Sequence, residues 1–81
     1  MKPKRFHSHN AWIYNYEDQT EFVSYSTVMM IKKDGVWFMN REHYSRSTTR
    51  QVNRFIEEYG IDREKCVLID EHTIAGMAHK D

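Results

Sequence analysis

Three groupings of side chains in this 81-residue chain have the types and spacing that chemistry needs. Cys66 with His43 or His72 would give a thiol and an imidazole, the parts of a nucleophilic pair. A reactive thiolate needs an exposed, electropositive setting, however, and Cys66 opens the apolar run Cys66-Val67-Leu68-Ile69. The sequence therefore predicts a small buried hydrophobe there, and no catalytic residue elsewhere. His7 and His9 offer two imidazoles where a structural metal site takes about four ligands, so they read as solvated and no metal or cofactor is expected. The third grouping is the hydroxyl and guanidinium run Ser45, Arg46, Ser47, Thr48, Thr49 and Arg50. Set at the start of a helix, it can hold a phosphate or carboxylate on free backbone N–H groups. The same hydroxyls also cap helices, and both readings stand.

The element that must carry that run is the clearest in the chain. Thr48 followed by Gln51 fits a capping box, with Ser45 and Ser47 as rival caps. Val52, Phe55, Ile56 and Tyr59 recur at i, i+3, i+4 and i+7, one apolar stripe, while Arg50, Asn53, Arg54, Glu57 and Glu58 fall on the remaining surface. Gly60 supplies a left-handed residue and Ile61 can fold back on Ile56 in a Schellman arrangement. The spacing predicts a helix over 48–59.

Before it, aromatic residues at 12, 14 and 16 alternate with Ile13 and Asn15, a strand pattern over 11–17. Asp18-Gln19 can turn the chain into a long second strand, 20–33, bent or bulged near 24–26. Asp34-Gly35 is a type I′ hairpin signal that sets Lys33 opposite Val36, Ile31 opposite Phe38 and Met30 opposite Met39. With a two-residue first turn, Trp12, Tyr14, Tyr16, Val23, Tyr25, Ile31 and Phe38 share one face. The other collects Ile13, Phe22, Val28, Met30, Trp37 and Met39. A fourth strand is expected at 66–70, beside a sheet edge. The fold class is α+β: a small, three- to four-stranded, mainly antiparallel sheet in meander order with one helix packed across one face. One helix covers one face, so Val28, Met30, Trp37 and Met39 are expected at an interface.

Lys+Arg and Asp+Glu both number 12, a zero formal charge that weighs against a strongly basic nucleic-acid binder and favours self-association, a homodimer being the simplest form. A mean hydropathy of −0.83 stands beside 14% aromatic residues, so an aromatic core or binding face is expected. Residues 1–10 read as a flexible basic arm, 11–70 as a single domain and 71–81 as a C-terminal tail that forms at most a partial helix. With one cysteine, no signal peptide and no apolar run of membrane-spanning length, the expected location is cytoplasmic, with no membrane contact.

Two stretches carry a resemblance. Ser24-Tyr25-Ser26-Thr27, and Tyr44-Ser45-Arg46-Ser47-Thr48-Thr49-Arg50-Gln51 followed by Phe55, resemble the paired motifs of a small domain of unknown function found in tailed bacteriophages. Ser47 stands where that family usually has Thr, and Gln51 where it has His. The resemblance spans roughly residues 20–60 and implies a strand–strand–helix unit of phage or prophage origin, in a host bacterial cytoplasm, with no activity to carry over. The function expected is that of a non-enzymatic phage accessory protein that binds a bacterial protein, inhibiting a host defence or metabolic enzyme. The alternative is a small nucleic-acid-binding regulator that uses the basic arm and an aromatic sheet face, with Lys32, Lys33 and Arg41 tracking phosphates.

Overall fold

A computed structural model describes residues 3–7, 10–42 and 45–79. Lys2 and His9 of the expected arm, and His43 and Tyr44, lie outside the described residues. The described residues form a six-stranded sheet in the order β1 to β6, in which strands are spatial neighbours in sequence order. The strands are β1 (Lys4–Arg5), β2 (Ala11–Asn15), β3 (Gln19–Ser24), β4 (Thr27–Lys33), β5 (Val36–Asn40) and β6 (Val67–Ile69); the helices are α1 (Arg46–Glu58) and α2 (Glu71–Met77). The first five strands run antiparallel in turn and β6 joins β5 in parallel. The α+β class holds, with more strands, a mixed sheet and a second helix beyond the expected three- to four-stranded plan.

The largest departure is at 20–33, which is a hairpin and not one strand. Tyr25 and Ser26 both take positive φ, 50° and 68°, the geometry of a type I′ turn, and Ser24 pairs with Thr27 across it. Neither residue is Gly, Asn or Asp, so the turn has no local sequence signature. The bend expected near 24–26 is this full turn, and length points to it as well, since fourteen consecutive strand residues exceed the usual five or six. Within the hairpin, Phe22 pairs with Met30 but Val23 with Val28, so Met29 is a bulged residue. The bulge buries Met29 and Met30 together and sends Val28 to the opposite face, beside Val23.

Asp34 and Gly35, at φ 54° and 77°, make the expected turn, and the β4–β5 register is the one the sequence implies. The first turn sits one residue earlier than expected, at Glu17-Asp18, with the Tyr16 N–H donating to the Gln19 carbonyl at 2.8 Å. The pairing is thus Trp12 with Val23 and Tyr14 with Glu21. Because the shift is by two in register, side chains keep their faces.

α1 begins at Arg46, two residues before the expected start, because Ser45 is the cap: its hydroxyl accepts from the Thr48 N–H at 3.3 Å. The other end is as expected. Gly60 has φ 60°, its N–H donates to the Glu57 carbonyl, and the Ile61 N–H donates to that of Ile56 at 3.0 Å, the two bonds of a Schellman motif.

Val52, Phe55 and Ile56 bury against Phe6, Ala11, Ile13, Phe22, Met29, Met30 and Met39. Phe55 is the hub. It stacks on Phe22 at 4.3 Å between centroids and takes Phe6 and Trp37 edge-on, both at 5.5 Å. Tyr59, the fourth member of the stripe, stacks on Phe55 but stays exposed.

Two expected loose ends are built into the fold. In the basic arm, Lys4 and Arg5 pair with Ile13 and Trp12, the Arg5 guanidinium sits 5.0 Å over the Trp12 ring, and Phe6 is core. One apolar residue amid the cations anchors this stretch. In the tail, Asp70 caps α2 through the Thr73 N–H at 2.7 Å, and Ile74 is fully buried with Ile31. α2 lies on the face away from α1, where Gln19 donates to the Met77 carbonyl and the buried Glu21 carboxylate accepts from the His79 N–H at 2.8 Å.

Candidate functional site

The helix start and the Tyr25-Ser26 turn, far apart in sequence, meet through a buried polar knot. Ser24, fully buried at the end of β3, donates its hydroxyl to Gln51 Oε1 at 2.5 Å and lies 3.2 Å from the Thr48 hydroxyl. Thr48 is itself buried and shares its oxygen with the Ser45 hydroxyl at 3.4 Å. A buried hydroxyl without a partner would be destabilising, so the knot holds α1 and the turn at one spacing. Tyr25 is then held by its own backbone, the N–H donating to the Asn10 carbonyl at 2.8 Å.

These constraints frame a cavity of about 290 Å³, lined by Phe6, His7, Asn10, Tyr25, Ser47, Arg50, Gln51 and Arg54. Arg50 and Arg54, one helical turn apart, supply its charge. Arg54 is compensated: its Nε lies 2.8 Å from Glu58 Oε2, and His7 Nε2 lies 2.9 Å from the same oxygen. The hydrogen bond from His7, and after it that from Arg54, hold the Glu58 carboxyl below its ordinary value of 4.5. Among the described residues no ion pair involves Arg50.

The candidate anion residues are therefore divided. Ser47 and Arg50 face this cavity, Ser45 is spent on the cap, Thr48 is buried, and Arg46 is exposed and lines neither cavity. Thr49 lines a second groove of about 350 Å³ with Met29, Met39, Val52, Leu68 and a polar rim that includes Arg41 and Arg63.

The candidate interface does not survive as an open patch. Met30 and Met39 are buried under α1, and Trp37 packs on the edge of Phe55. Val28 lies on the other face because of the Met29 bulge. The helix covers this face and α2 the other, and the large apolar side chains left exposed among the described residues are Tyr25, Val36 and Tyr59 together with an adjacent pair on the edge strand β6, Val67 at 43% and Leu68 at 57%. Cys66 is half-buried, its thiol donates to the Asp62 carbonyl at 3.6 Å, and burial pushes its pKa up, away from a reactive thiolate. His72 is exposed on α2. Among the described residues no three His, Cys, Asp or Glu side chains group as metal ligands. Nor, among the described residues, is any helix long and apolar enough to cross a membrane.

Phe6, His7, Asn10 and Tyr25 line the cavity although nothing in the sequence assigns them to a site with Ser47 and Arg50. A strand-length mismatch could have revealed Tyr25, and an isolated Phe in a basic stretch Phe6 and His7.

Fold and site together define a small α+β protein whose cationic cavity lies where a strained hairpin turn meets a helix. The chain belongs to a family described as a family of unknown function (DUF8033), which it matches over residues 2–71. No curated protein and no solved structure gives a significant match.

Proposed function

We propose that the chain is a non-enzymatic accessory protein that binds a bacterial protein, taking an extended segment of it along the free edge of β6. The observation that carries this reading is the exposure of Val67 and Leu68 on the last strand of the sheet. An edge strand offers unpaired backbone groups to an incoming strand, and apolar side chains beside it give the added strand a place to bury its own. Leu68 also lines the groove floored by Met29, Met39 and Val52, whose rim carries Arg41, Arg63 and Glu42 and so can take polar groups of either charge. Phage origin, action in the host cytoplasm, and inhibition of a defence or metabolic enzyme extend this reading. Their support is the resemblance of the Ser24–Thr27 and Tyr44–Gln51 stretches to a tailed-phage domain.

The test compares wild type with Leu68→Glu. Proteins captured from bacterial lysate by wild type are identified, purified and titrated against both forms, with thermal melts checking the fold. The expected result is a purified partner whose affinity falls at least tenfold for Leu68→Glu. Equal affinity for both forms removes β6 from the interface. If light scattering instead shows a wild-type dimer that Leu68→Glu converts to monomer, the edge serves self-association.

Binding to nucleic acid is the second reading. Its cations are dispersed: Lys32 lies 6.0 Å over the Trp37 ring, and Arg41 is 3.8 Å from Asp70. A salt series in fluorescence anisotropy tests it, since a phosphate track gives log K falling at ~0.9 per phosphate contacted on duplex DNA.

A further inference from the structure

We propose that the cavity between the Tyr25-Ser26 turn and α1 binds a nucleoside monophosphate, with the phosphate on Arg50 and Ser47 and the base against Tyr25. This site is separate from the β6 edge and does not depend on it. The first observation is charge. Of the two cavity arginines, Arg54 shares Glu58 with His7, whereas Arg50 enters no ion pair among the described residues. A guanidinium beside a hydroxyl is a phosphate-binding combination, through bidentate and charge-assisted hydrogen bonds. The charge comes from the Arg50 guanidinium in the second turn of α1, with the Ser47 hydroxyl one turn before it, and not from the helix terminus.

The second observation is the turn. A type I′ turn favours Asn and Gly at its two central positions, and here they are Tyr25 and Ser26, at φ 50° and 68°. A bulky residue in that region is strained, and such strain concentrates at binding sites. Tyr25 gains little from the core in exchange, for it is 49% exposed, and it lines the cavity. An exposed tyrosine that lines the same cavity as an arginine can serve as a stacking platform for a nucleobase. Phe6 adds an apolar wall, and about 290 Å³ is just below the usual range for small-ligand sites, roughly 300–1,000 Å³, which fits a small ligand.

The experiment titrates the full chain with adenosine and cytidine monophosphates, with inorganic phosphate and with a short single-stranded oligonucleotide, by calorimetry and chemical-shift mapping. Wild type is compared with Arg50→Gln and Tyr25→Asn. The expected results are that a nucleotide binds at least tenfold tighter than inorganic phosphate, and that Arg50→Gln loses at least tenfold. Tyr25→Asn should melt a few degrees higher, because Asn suits the turn, yet bind nucleotide no better than phosphate. That opposition of stability and binding separates a ligand-binding Tyr25 from a structural one. The proposal is overturned if phosphate binds as tightly as nucleotide, if no mononucleotide shifts cavity resonances, or if Tyr25→Asn destabilises while leaving affinity intact. It is equally overturned if only the oligonucleotide binds, which would assign the turn to a polymer.

Discussion

The two faces of the sheet are closed by different physics. Under α1 the closure is mainly apolar and aromatic: Phe6, Ile13, Phe22, Met30 and Phe55 interdigitate, the helix brings Val52, Phe55 and Ile56, and the Ser24–Thr48–Gln51 bonds tie down one end. Under α2 the closure is a single fully buried Ile74 over Ile31, held by polar ties to Gln19, Glu21 and Asn40. Burial of large side chains contributes several kcal/mol each, whereas a net hydrogen bond contributes about one. The first face therefore supports the fold, and the second serves as a cover whose attachment depends on geometry and pH.

The sharpest way to break this contrast is Phe55→Ala, expected to destabilise by about 3–5 kcal/mol through the cavity left at the aromatic hub. A denaturant melt with an effect under one kcal/mol would mean that α1 is not the main closure. Ile74→Ala should come next, at about 2–3 kcal/mol, the low end for such a truncation because a seven-residue helix can undock and cap the loss. Equality with Phe55→Ala would erase the distinction between the faces. Glu21→Ala follows at about 1–3 kcal/mol, since it strips the acceptor from the His79 N–H and from Gln19. Hydrogen exchange should show the loss confined to α2.

The smallest expected effect is acid-dependent. The His79 hydrogen bond to Asp18, at 2.8 Å, holds that carboxyl below the ordinary value of 3.8. A depressed folded pKa stabilises the native state above the unfolded value, and the contribution is lost as pH falls through the folded one. The α2 end should thus loosen below pH 3.8 in wild type and show a flatter acid profile in Asp18→Asn. Both groups are exposed, so near-neutral stability should hardly change on substitution.

What the sequence made legible was whatever is fixed by local rules. The stripe 52, 55 and 56, the Gly60 stop and the Asp34-Gly35 hairpin each rest on residues within a few positions of one another. The Tyr25-Ser26 turn was legible only as a bend because its geometry is imposed from a distance, by Ser24 bonding to Gln51 and lying against Thr48. α2 was hidden for a related reason. With Gly76 in seven residues, helix propensity alone would not hold it, and Glu21 lies fifty-eight positions from the N–H it accepts. Of the cavity, Ser47 and Arg50 could be read from the helix-opening run. Tyr25 and His7 reach it only through the folded arrangement.

The order of strands has a consequence for how the chain is made. β1 to β5 form a meander whose partners are close in sequence, so it can assemble as it leaves the ribosome. Its apolar face needs α1, which follows β5 in the chain, and β6 arrives only after that, to pair Val67 with Phe38. At about 5–20 residues per second, synthesis of α1 lags completion of β5 by on the order of one to four seconds. Once they have emerged, Phe22, Met30 and the bare edge of β5 stay open to other chains until α1 follows them out. Conditions that slow elongation after Asn40 should therefore lower the yield of soluble protein more than equal slowing within β1 to β3.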